Sequence, residues 1–177
     1  MLALMLTACG PSNTVMLTAP AELTPPNHSQ PKVALVTFED SRGKNVLGIR
    51  RDKSHFFADG DVRVWFSKTL ADKLNEAGMN VVYVGSTAEA VSSQAKYILT
   101  GAIDTLWLKE SSSTNMSAVI DAHYTIEHGN RTDRGSVHVE NENNTIIFST
   151  GAAANLFDDA MKAFCDKAIV KIQTVVK

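Results

Sequence analysis

Met116-Ser117-Ala118-Val119-Ile120-Asp121-Ala122-His123-Tyr124-Thr125-Ile126 is the stretch that decides the fold. Met116, Ala118, Ile120, Ala122, Tyr124 and Ile126 alternate with Ser117, Val119, Asp121, His123 and Thr125. Period-two alternation of this length predicts a strand with one buried and one wetter face. His128-Gly129-Asn130 carries turn chemistry, and 135–140 reads as the returning partner strand. A second turn is expected over 141–144, leading into another strand over 145–149.

Working outward, Lys32-Val33-Ala34-Leu35-Val36-Thr37-Phe38 is a β-branched run after Pro31 and predicts a buried strand. Residues 39–53 are polar and basic around Val46-Leu47-Gly48-Ile49, and read as a loop. An amphipathic helix is expected over 61–77. Val62, Trp65, Phe66, Leu70 and Leu74 form its stripe, Asp59 and Asp61 suit its start, and Gly78 its stop. Phe56 and Phe57 are expected to pack beneath that start. Strands over 79–84 and 97–108 flank a short helix over 86–93. A final helix over 156–176 carries Phe157, Ala160, Phe164, Ala168, Ile172 and Val175 on one side. The order β-α-β-α-β-β-β-β-α predicts an α+β or α/β fold. A mixed sheet of five to six strands would carry two main helices.

The N-terminus adds a location. Residues 1–8 are apolar and end in Leu6-Thr7-Ala8-Cys9-Gly10, a lipobox. Small residues before the cysteine let a peptidase approach the backbone, and the thiol takes the lipid. Cys9 would then be the first mature residue, with 1–8 the remnant of a signal peptide. No Lys or Arg precedes Cys9, whereas a secretory signal carries a positive n-region; an upstream start or a trimmed chain accounts for that. Pro11, Pro20, Pro25, Pro26 and Pro31 with many small polar residues make 9–31 read as a flexible tether. One globular domain over 32–177 follows. A palmitate-type acyl chain alone binds marginally, whereas two or more anchor stably.

Composition bounds the rest. Hydrophobic content of 44% with 20% charged residues is that of a globular domain, and a net charge of −2 argues against nucleic acid as a partner. Beyond Cys9 the one other cysteine is Cys165, which excludes a disulfide framework and a cysteine zinc site. It falls on the apolar side of the last helix and reads as a buried, inert thiol. His28, His55, His123, His128 and His138 show no ligand spacing, so no metal or other cofactor is expected. His123 and His138 share the polar phase of the hairpin and read as solvated. Asp59-Gly60-Asp61 reads as capping, not as a calcium loop. No phosphate cradle, nucleophile elbow or dinucleotide fingerprint appears, so no catalytic residue is assigned.

One segment carries a binding hypothesis. Arg42, Lys44, Arg50, Arg51 and Lys53 stand against the single anion Asp52, a local charge of +4. Guanidinium forks suit phosphates and carboxylates. The plainer reading is a solvated loop shaped by an Asp40–Arg42 pair, with Gly48 also structuring it.

The strand 33–38, Asp40-Ser41-Arg42 and Val46-Leu47-Gly48 with Arg50 resemble the YajG-type bacterial lipoproteins. The helix end Leu74-Asn75-Glu76-Ala77-Gly78-Met79-Asn80-Val81 and the strand Ala95-Lys96-Tyr97-Ile98-Leu99-Thr100-Gly101-Ala102-Ile103 resemble the same family. The resemblance implies a lipid-anchored envelope protein without an active site to carry over. Similar domains serve as accessory subunits of envelope transporters, which implies a protein partner. Gly10 after the lipidated cysteine is similar to lipoproteins sent to the outer membrane, which implies a periplasm-facing anchor there.

Two functions follow as expectations. The first is a non-enzymatic, membrane-tethered module that binds an envelope protein or polymer through 40–53, or a second copy of itself through the sheet edge or hairpin. The second is an envelope hydrolase using Glu39, Asp40, Asp121 and His123.

Overall fold

The computed structural model describes residues 13–144 and 149–177. Cys9, the residues before it and nearly all of the strand expected over 145–149 lie outside the described residues. The elements run β1 (Thr14–Met16), β2 (Lys32–Val36), β3 (Glu39–Asp40), β4 (Val46–Ile49), β5 (His55–Asp59), α1 (Val62–Glu76), β6 (Asn80–Val84), α2 (Thr87–Ser92), β7 (Tyr97–Glu110), β8 (Asn115–His128), β9 (Arg131–Asn144) and α3 (Thr150–Val175). This is an α+β fold on a mixed sheet, as the sequence order predicts.

β7 is the spine of the sheet. Along one edge it pairs β8 antiparallel over nearly its whole length, with Ile98 opposite Glu127 and Glu110 opposite Met116. Along the other it takes three short parallel partners in turn: β2, β3 and β4. From β2 the sheet continues to β6, and from β4 to β5 and then β1. β9 completes the β7–β8–β9 ribbon and lies at its edge. Lys171 and Lys167 of α3 donate to the backbone carbonyls of Ser136 and His138 at 2.6 and 3.0 Å. Charged tips beside a strand edge discourage its pairing with another chain.

The alternation of β8 holds throughout: Met116, Ala118, Ile120, Ala122, Tyr124 and Ile126 are all buried. Their face packs under α3, and α1 lies beside α3 over β6, β2 and β3. Val62, Trp65, Phe66, Leu70 and Leu74 of α1 are buried, as are Phe157, Ala160, Phe164, Ala168 and Ile172 of α3. Phe66 sits at the centre, its ring centroid 5.3 Å from Phe38 and 5.0 Å from Phe164. Asp61 caps α1 by accepting from the Arg63 and Val64 backbone amides, and Gly78 takes the positive φ of 84° that ends it. β2 is buried on both faces because α2 adds a second small cluster, Ala90 on Ala34 and Val36. That accounts for its unbroken apolar run.

Four expectations are corrected. Residues 39–53 are not one loop but hold β3 and β4 between turns, and β5 follows over 55–59; their charges sit at turns and on the outward phase, so the apolar count per strand is low. Residues 141–144 are not a turn, since β9 continues to Asn144. Phe57 points outward and is 43% exposed, while Phe56 packs inward at 2%; in a strand, neighbours cannot share a face. The tether is not flexible over its described part. Val15 and Leu17 are buried, and β1 pairs parallel with β5. The Thr24 amide donates to Asp72 at 2.7 Å, and Asn75 donates to the Thr24 carbonyl at 3.0 Å. The Asn27 side-chain amide also donates to the Gly78 carbonyl at 3.2 Å, so the segment is fastened along α1 and its end.

Cys165 is fully buried, and burial pushes its thiol up to about 12. The expected outcome is no labelling of Cys165 by a maleimide at about pH 8 in the native protein, and full labelling after denaturation.

Candidate functional site

The basic segment folds into two turns flanking β4. Asp40 ends β3, and Arg42 closes on it with Nε and Nη2 each 2.7 Å from a carboxylate oxygen. The same guanidinium donates through Nη1 to the carbonyls of Val46 at 3.3 Å and Leu106 at 3.2 Å. Arg42 is therefore a bracket between the turn and β7. Arg50 donates to Glu110 at 3.1 Å and to Asn13 Oδ1 at 2.9 Å, with its guanidinium over the Phe56 ring. Gly48 lies against β7 so closely that an added Cβ would sit 2.0 Å from the Leu108 carbonyl oxygen. Two of the five cations are thus spent on structure.

Lys44, Arg51 and Lys53 remain exposed, and their side chains make no hydrogen bond or ion pair to any described residue. Arg51 and Lys53 share the β4–β5 turn, where the Arg50 amide donates to the Ser54 carbonyl at 2.8 Å and Lys53 takes a φ of 69°. Asp52 is exposed and accepts from the Ser54 amide at 2.9 Å and the Ser54 hydroxyl at 2.6 Å. Sequence reasoning could see the Asp40–Arg42 spacing. It could not see Arg50–Glu110, which joins residues sixty apart.

Burial pushes the Asp40 carboxyl up, but hydrogen bonds and charge from Arg42 outweigh it and hold the carboxyl below its ordinary value. A depressed folded value contributes stability above the unfolded value of about 4, and that contribution is lost as pH falls through the folded value. Asp40→Asn is therefore expected to cost about 1–2 kcal/mol near neutrality. The gap to wild type should narrow in melts as pH falls below about 4; an equal gap at neutral and acid pH would contradict the pairing.

The residues proposed for acid–base chemistry do not converge. Asp40 belongs to Arg42, Asp121 to His138, and His123 to Asp104 at 2.7 Å. Both histidines lie on the open face of the ribbon, each with a carboxylate on Nδ1. A bulge between Ile103 and Thr105 makes Asp104 the extra residue that reaches His123. Ser136 stands opposite His123 in the β8–β9 register. His123 and Asp104 are 55% and 43% exposed, so water screens their interaction. Among the described residues no group of three or more His, Cys, Asp or Glu is placed to hold a metal.

Sequence reasoning missed a cleft of about 800 Å³ at the far end of α3. Lys96, Arg131, Asp133 and Lys177 line it, with the Lys96 ammonium and the Tyr97 hydroxyl donating to the Lys177 main-chain oxygen at 3.0 and 2.8 Å. His128 stacks edge-on to Tyr97 at 4.9 Å, and Lys96 lies over the same ring. The three cations are scattered over 81 positions of sequence, so no local run marks them.

No protein-family model matches the chain, and no curated protein matches its sequence. Solved structures do match in fold. Protein XCC0632 from Xanthomonas campestris, of the family DUF330, is 12% identical with a TM-score of 0.59 over 88% of this chain and 92% of its own. The hypothetical protein CT253 from Chlamydia trachomatis is 8% identical, with a TM-score of 0.53 over 79% and 96%. Lipoprotein GNA1162 from Neisseria meningitidis is 11% identical with a TM-score of 0.39 over 77% and 99%, a likeness too loose to carry an argument. What these matches establish is the fold; the YajG type is not singled out among them.

Proposed function

We propose that this chain is a lipid-anchored, non-enzymatic binding module of the bacterial envelope, held by Cys9 on the outer membrane and facing the periplasm. One observation supports the reading: the N-terminal end of the described chain and the basic cleft belong to opposite ends of α3. The described chain enters the domain at Asn13, beside the lipobox in sequence, and Thr14 and Met16 line a groove with Thr150 and Gly151 at the helix start. Thr174, Val175 and Lys177 line the cleft at its end. A helix of 26 residues separates the two by about 39 Å. Such a module holds its lipid at one pole and presents cations to an anionic group of a protein or polymer at the other.

The test is in-cell crosslinking from a photoreactive residue at Thr132, with Cys9 kept, in wild type and in Lys96→Glu/Arg131→Glu. A partner captured by wild type and lost from the variant supports the reading. The same capture from both overturns the cleft as its contact.

A second reading, an envelope hydrolase, draws on the Asp104–His123 pair with Ser136 in register across the ribbon. It requires labelling by a fluorophosphonate that disappears in Ser136→Ala. Equal background in both would remove it.

A further inference from the structure

We infer that the β4–β5 turn and the outward face of β5 are a bilayer-docking surface, seated on anionic lipid headgroups. The inference rests on lipidation of Cys9 as proposed above. Because β1 is part of the sheet, the chain joins the domain at Asn13 and not near residue 31. The Asn13 carbonyl accepts from the Phe57 amide at 3.0 Å, and its side chain meets Ser54 and Arg50. Only residues 10–12 lie between Cys9 and Asn13. Fully extended, that link spans about 14 Å. A lipid on Cys9 therefore holds this turn within reach of the headgroups, whatever the rest of the domain does.

The chemistry of the surface fits that neighbour. Arg51 and Lys53 project from the turn, and Lys109, opposite Ile49 in register, is a third exposed cation at the same end of the sheet. Asp52, the anion between them, accepts from Ser54 and keeps its charge, so three cations face one anion here. Phe57 stands out of β5 beside them at 43% exposure, in edge contact with His55. An exposed aromatic next in the strand to a cationic turn suits the boundary between headgroups and acyl chains. The opposite end of β5 is unlike this: Asp59 and Asp158 lie by Met16. The bilayer is therefore met by the turn and Phe57, not by Met16.

The experiment uses full-length protein extracted from membranes and placed in vesicles, with its lipid state read by intact mass on the same sample. Hydroxyl-radical footprinting compares His55 and Phe57 with His128 at the far end. In vesicles of phosphatidylethanolamine with phosphatidylglycerol, His55 and Phe57 are expected to be protected relative to detergent solution, and His128 unchanged. Each cation near an anionic surface strengthens attachment about fivefold. Arg51→Glu/Lys53→Glu should therefore return both residues to their detergent rates, as should vesicles of phosphatidylcholine alone. Lipidated protein with His55 and Phe57 unprotected would overturn the docking surface and leave the anchor standing. Protein without lipid would overturn the anchor; protection at His55 and Phe57 when it is mixed with the same vesicles would then sustain the surface, and none would remove both.

Discussion

Phe66→Ala is expected to destabilise the domain by about 3–5 kcal/mol, more than any other single truncation named here. Phe66 is fully buried and touches three aromatic neighbours: Phe38 from the segment after β2, Phe164 from α3, and Trp65 from its own helix. Removing the ring forfeits its transfer energy and leaves a void bounded by elements that cannot close on it. The adjoining Ser67 hydroxyl holds the Phe38 amide at 2.8 Å, and Gly101 lies against the Phe38 ring, so Phe38 has little freedom to fill the gap. For a domain of this size the melting temperature should drop by roughly 8–16 °C. Phe66→Leu, which keeps most of the volume, should recover over half of that loss.

Gly48→Ala should cost at least about 3 kcal/mol, although it adds one methyl group. The clash is with backbone: the new Cβ would lie 2.0 Å from the Leu108 carbonyl oxygen and 2.8 Å from its Cα. A flexible side chain could swing aside, but a strand held on its other edge by β8 cannot. Relief requires β4 to leave β7, which also unseats Arg50 from Glu110 and β5 with β1 beyond it. The measurement is a denaturant melt combined with amide exchange. Loss of protection confined to β4, β5 and β1 is expected before global unfolding. Uniform destabilisation would contradict this picture of β4 as the single hinge of that half-sheet.

Legibility of the fold follows from how each element is stabilised. α1, α3 and β8 were readable because each buries one continuous face, and the period of that face is written locally. β4 and β5 were not, since they are short, their outward residues are charged, and their order comes from β7, some sixty positions later. β1 was hidden by prolines that mark a flexible segment elsewhere and here mark an extended strap. At the basic segment the sequence showed the charge but not its disposition. Arg42 and Arg50 are bound by Asp40 and Glu110, which leaves Arg51 and Lys53 as the outward cations of the β4–β5 turn. The cleft of Lys96, Arg131 and Lys177 had no local signature, because the fold alone assembles it.

That disposition changes how the segment is to be tested. Reversing Arg42 or Arg50 would unfold the turn and mimic a lost contact, whereas Arg51 and Lys53 can be reversed without touching a described partner.

Everything functional hangs on the anchor. The most direct measurement is the intact mass of the protein recovered from the membrane fraction of cells that express it. The account predicts a chain beginning at Cys9, heavier than its sequence by a diacylglycerol and a further acyl chain, with Cys9→Ala abolishing the addition. An unmodified chain retaining residues 1–8 would contradict it.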